Sequence, residues 1–126
     1  MNTIKIKGNL IVDLSFNFGL AIVEFTDELQ SKRKFAVANQ LLRSGTSVGA
    51  NIWESQNAES KRDFIHKLKI AAKEGEETEF WLLLCKHSKN YPDPEELLYT
   101  LKSINKILNK IISTSKKTIN SNYETS

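Results

Sequence analysis

Apolar residues in this chain recur at steps of three and four rather than two, and only two prolines and five glycines interrupt them. Such spacing lines one face of an α-helix and cannot line one face of a strand, so the fold class expected is all-α. Four segments sustain the pattern. The first begins between Asn9 and Asp13 and carries Leu14, Phe18, Ile22, Phe25 and Leu29, ending in the polar and basic residues 30–34. That connection is short enough to join antiparallel neighbours. The second, about residues 35–56, carries Ala38, Leu41, Gly45, Val48 and Ile52. Gly45 and Gly49 beside this stripe each cost roughly 1 kcal/mol of helix propensity relative to alanine. They mark either the close approach of a neighbouring backbone or a local weakness.

Ser60 and Asp63 form a capping-box-like start for the third helix, which runs to about Lys89 and carries Ile65, Leu68, Ala72, Gly75 and Leu82. Tyr91-Pro92 ends it. Asp93-Pro94-Glu95-Glu96 then supplies a cap, a proline at the first helical position and dipole-compensating carboxylates. Leu97, Leu101, Ile104, Leu108 and Ile111 follow in the alternating steps of an antiparallel bundle seam. The expected architecture is an antiparallel four-helix bundle over residues 1–113. A polar tail, residues 114–126, has little to bury and is expected to be disordered.

The 126 residues, 40 % hydrophobic and 26 % charged, suit one domain that buries about two-thirds of its unfolded surface. No apolar run approaches the ~20 residues of a membrane span, and Met1 to Lys7 lacks the apolar stretch of a signal peptide. A cytoplasmic protein with no membrane partner is expected. The single cysteine, Cys85, has no internal disulfide partner and reads as a small buried hydrophobe.

Helical geometry sets Ile70, Trp81 and Leu84 on the side of the third helix away from its core stripe, and residues 80–85 are apolar all round. A thin bundle does not cover such a face, whereas association with further copies does; the alternatives are a helix central in an irregular monomer or an outer face that is simply apolar surface. Arg43, Ser47, Asn51 and Glu54 align opposite the core stripe of the second helix, which in a monomer is merely a solvated face, the reading that spacing alone favours. Arg43 is expected to pair with Glu54 or Glu77, within or between subunits.

The residues offer little to catalysis. Asp63 and His66 have the spacing of half a carboxylate-bridged di-metal site, but His87 has Leu84 three residues before it where the other half needs a carboxylate. No metal or cofactor is expected, and Asp63 reads as a helix-start carboxylate. Glu74, Glu76, Glu77 and Glu79 are acidic without a visible catalytic partner, and Glu74 and Glu77 resemble surface charges set against Lys69 and Lys73. Residues 44–49 lack the order of a phosphate-binding loop and fall inside a helical repeat. A non-enzyme is expected.

The positive charge is concentrated. From Leu97 onward Lys102, Lys106, Lys110, Lys116 and Lys117 face only Glu124, giving that segment +4 and the remainder −1. Lysines without interleaved aromatics suit contact with a phosphate backbone rather than the reading of bases. In a monomer such a stripe is commonly no more than a solubilising face. In a symmetric oligomer it repeats around a ring and attracts a polyanion more strongly.

The run Gln40-Leu41-Leu42-Arg43-Ser44-Gly45-Thr46-Ser47-Val48-Gly49-Ala50-Asn51-Ile52, with Glu54 and then residues 57–64, resembles the four-helix bundle protein family named for intervening sequences in bacterial 23S ribosomal RNA. Residues 73–82 resemble that family's third-helix signature, although Gly75 stands where the family more often has a better helix former. The resemblance spans residues 9–112. It implies a ring-like homo-oligomer of five subunits and kinship with the basic, pentameric accessory proteins of diversity-generating retroelements, which bind nucleic acid and a reverse transcriptase. No enzymatic activity is attached to the family.

With this resemblance, Ile70, Trp81, Leu84, Arg43, Glu54 and Glu77 are the expected oligomer interface. The five lysines are the expected nucleic-acid surface, with RNA as the expected partner. A scaffold or adaptor for a protein partner, with lysines serving only solubility, is the alternative.

Overall fold

A computed structural model describes residues 3–125, with side chains for residues 3–120. It contains α1 (Leu10–Ser31), α2 (Phe35–Ser55), α3 (Lys61–His87) and α4 (Glu95–Thr125), and no strand among the described residues. Successive helices pack on one another, and α4 returns against α1 to close the bundle.

The helix starts follow local chemistry. Asn9 caps α1, its side chain accepting from the N–H groups of Ile11 and Val12. At α3 the Ser60 hydroxyl accepts from the N–H of Asp63 at 3.0 Å, and the Asp63 carboxylate accepts from the N–H of Glu59 at 3.2 Å. Asp93 accepts from the N–H of Glu95 at the start of α4. α1 and α3 stop where Arg33 and Asn90 adopt the left-handed region, with φ of 64° and 66°.

The core follows the expected stripes with small rotations. All five positions named on α2 are buried, and Phe18, Ile22, Phe25 and Leu29 are buried on α1. Leu14, Ala72 and Ile111 are only half-buried, while Ile11, Ala71 and Ile112 take the deeper places. Each helix packs against two others, which turns its buried arc slightly away from a single-stripe reading.

The glycines of α2 answer the question their spacing raised. A Cβ on Gly49 would stand 3.0 Å from the backbone oxygen of Ser15, and one on Gly45 would press into the Ile22 side chain. α2 continues as a helix through both. Their absent side chains admit α1, so close approach is the reason for them. Gly75 makes similar room on α3, where a Cβ would collide with the Asn105 side chain of α4.

The expected disordered tail is corrected over the described residues. The helix continues from Ser113 to Thr125, with Ser115 buried and Ile119 half-buried against the core. These positions prolong the α4 seam beyond Ile112, at spacings hidden by a polar composition. Ser126 of that tail, and Met1 and Asn2 of the segment expected to lack a signal peptide, lie outside the described residues.

Residues 3–8 form a strap across the start of the bundle. Asn17 exchanges hydrogen bonds with the backbone of Ile4, and Asp13 accepts from the N–H groups of Ile6, Lys7 and Gly8 at 2.9–3.1 Å. The Lys7 ammonium then lies 4.7 Å from the centre of the Trp53 ring.

Candidate nucleic-acid interface

The lysine stripe is built by α4. Its core positions Leu97, Leu101, Ile104 and Leu108 point inward, which carries Lys102, Lys106, Lys110 and Lys117 to the opposite, exposed side. Among the described residues no ion pair engages any of these four.

Lys116 departs from that stripe. One residue's rotation, about 100°, turns it toward α3, where it meets Lys69. Arg62, His66 and Lys69 of α3, with Lys116 and Asn120 of α4, line a cleft between the two helices. Sequence reasoning confined the positive charge to α4 and missed the three α3 residues. The signal lay in residues 61–73, where five lysines and arginines accompany the single acid Asp63. Antiparallel pairing of α3 with α4 brings that basic half-helix beside the basic end of α4.

A second constellation joins α2 to α3. Arg43 donates through Nη1 to Glu74 Oε2 at 3.1 Å and through Nη2 to Glu77 Oε2, and the same Glu77 oxygen accepts from Trp81 Nε1 at 3.0 Å. Beneath it the hydroxyls of Thr78 and Ser44 share a buried hydrogen bond of 3.0 Å. Glu77 is thus the partner expected for Arg43, whereas Glu54 instead pairs with Lys67 at 3.6 Å. Glu74 is a partner missed in the sequence, where it looked like a surface charge set against the lysines of its own helix. With the Arg43 side chain 48 % exposed, these pairs contribute on the order of 0–1 kcal/mol each.

The remaining expected interface residues lie beside this constellation. Ile70 and Trp81 are half-buried, Leu84 is exposed, and Phe80 packs edge-on to Trp81 with ring centres 5.1 Å apart. A separate apolar groove of about 510 Å³ runs between α1 and α2, floored by Gly19, Gly49 and Ala50 and edged by Leu20, Val23 and Trp53. Sequence reasoning did not find this groove, since it exists only where small residues of two helices coincide.

Cys85 is buried, and burial pushes its thiol up to about 11, away from the thiolate needed for reactivity. No group of three or more His, Cys, Asp or Glu converges as a metal site among the described residues. No helix is long and apolar enough to cross a membrane among the described residues.

Residues 7–113 match the family described as 23S rRNA-intervening sequence protein. A solved structure, from Bacteroides thetaiotaomicron VPI-5482 and described as a protein with unknown function from the S23 ribosomal protein family, is 42 % identical to this chain. The similarity covers 81 % of this chain and 97 % of that one, with a TM-score of 0.77. No curated protein matches.

Proposed function

The chain belongs to the 23S rRNA-intervening sequence protein family, and from that premise we propose that it is a non-catalytic, cytoplasmic, ring-like homo-oligomer that binds nucleic acid, RNA in the first instance, through the outer face of α4. The observation that carries the reading is the exposed stripe Lys102, Lys106, Lys110 and Lys117, opposite the core seam and without carboxylate partners among the described residues. Stripes repeated around a ring hold several phosphates at once. Five subunits are the number suggested by the family resemblance.

Two apolar surfaces support assembly. The groove between α1 and α2 and the α3 surface at Phe80, Trp81 and Leu84 lie on different elements. Contact of one with the other is heterologous, the kind of interface that closes into rings.

The test is a salt series. Each phosphate contact contributes about −0.7 to the slope of log affinity against log salt on a single strand and about −0.9 on duplex DNA. Replacing Lys102, Lys106 and Lys110 together by glutamine should flatten the slope and weaken binding about equally for unrelated sequences, with fold and oligomer size retained. Parental affinity and slope in that variant would remove α4's outer face from the reading. Absence of binding by the parent even at low salt would favour a protein scaffold.

A further inference from the structure

The cleft between the first turns of α3 and the far end of α4 has a volume of about 390 Å³. Arg62, His66 and Lys69 line it from one side, Lys116 and Asn120 from the other, above Ile65 and Ile119. No carboxylate lines it among the described residues. Lys69 and Lys116 line the same cleft, and the contact of the two amines, reinforced by like charge, holds the Lys69 ammonium below the usual lysine range. Two ammonium groups carry donors and no acceptor, so neither satisfies the other while both are charged. An oxyanion between them supplies the missing acceptors and removes the repulsion.

We propose that this cleft is a phosphate seat and that it takes a phosphodiester of a nucleic-acid backbone. The choice of source rests on the nucleic-acid reading above, whereas the seat itself rests on the cleft's own side chains. Lys69 and Lys116 grip the phosphate, and the His66 imidazole N–H and the Asn120 amide add neutral donors. Buried Ile65 and half-buried Ile119 form an apolar floor suited to the sugar that a diester carries and a bare ion lacks. The seat continues the basic surface of α4 around its edge onto α3, a course that a strand tracking the lysine stripe can follow.

The experiment compares the parent with Lys69→Gln/Lys116→Gln, using a short oligothymidylate, its RNA counterpart and inorganic phosphate as separate probes. Amide resonances of residues 62–69 and 116–120 are followed by NMR, and affinity is measured across salt. Both lysines are exposed, so the double variant should melt no lower than the parent, having lost a repulsion. The expected result is that oligonucleotide shifts these resonances in the parent. The variant should lose those shifts, and its salt slope should fall by about 1.4, two single-strand contacts at about 0.7 each. Parental affinity and slope in the variant would overturn the seat and leave the α4 reading standing. If only inorganic phosphate moves these resonances and no oligonucleotide binds, the seat holds but the assigned source falls with the nucleic-acid reading. Silence toward all three probes overturns both.

Discussion

Asp13 accepts three backbone hydrogen bonds, and the one from Lys7 does most to hold its carboxyl below the ordinary carboxylate range. Because the folded-state value is lowered, the resulting stability is present above the unfolded value, about 3.9, and disappears as pH falls through the folded one. Thermal melts between about pH 2 and 7 should therefore show an acid limb that Asp13→Asn flattens while lowering the neutral-pH melting temperature. An unchanged acid limb would mean that the strap of residues 3–8 does not depend on this carboxylate. In the sequence Asp13 looks like an ordinary first-turn acid, because its donors come from chain preceding the helix and turn toward it at Gly8, where φ is 72°. Arg43 was easier to interpret. Its alignment opposite a buried stripe, weighted by the family motif, led to Glu54 or Glu77 as the expected partner, and Glu77 is one. Glu74 was hidden because spacing along α3 set it beside Lys69 and Lys73, which gave it an ordinary surface role.

At the scale of helices, two glycines should respond oppositely to the same substitution. Gly49→Ala drives a methyl against the backbone of Ser15, and relieving that contact means moving α1. Overpacking of this kind typically costs about 1–3 kcal/mol, against a helix-propensity gain of about 1 kcal/mol, so Gly49→Ala should lower the urea midpoint. Gly19 on α1 has nothing within 4 Å of where a Cβ would stand within the subunit, and Gly19→Ala, measured in a Leu20→Glu background that leaves the groove empty, should raise that midpoint through propensity alone. Equal responses would contradict the close α1/α2 approach. Periodicity revealed the four helices and most of their buried positions, and capping chemistry located the starts of α3 and α4. It failed where burial depends on a second neighbour, as at Ala71 and Ile112, and beyond Ser113. There Ser115 and Ile119 are too sparse a signal among polar residues to announce a packed helix.

For the whole molecule, the pair of unlike apolar surfaces makes assembly the property to measure. Light scattering should find the purified protein oligomeric at micromolar concentration. Trp81→Ala on the α3 surface and Leu20→Glu on the groove should each reduce its mass, with helix content unchanged. A parent that scatters as a monomer removes the ring from the proposed function. Leu20 exemplifies what the sequence withheld: it lies off the α1 core stripe, and only the folded α1/α2 pair reveals the groove beside it. The basic cleft was concealed in the same way, its charges divided between segments far apart in the chain. Chain order also bears on the entropy of folding. α2 follows α1 after residues 32–34, α3 follows α2 after residues 56–60, and α4 follows α3 after residues 88–94, each packing on its predecessor. Only the return of α4 to α1 joins distant parts of the chain. Since loop-closure cost grows with the logarithm of loop length, the bundle incurs one long closure and three short ones, and the α1/α4 seam bears the largest share of that cost.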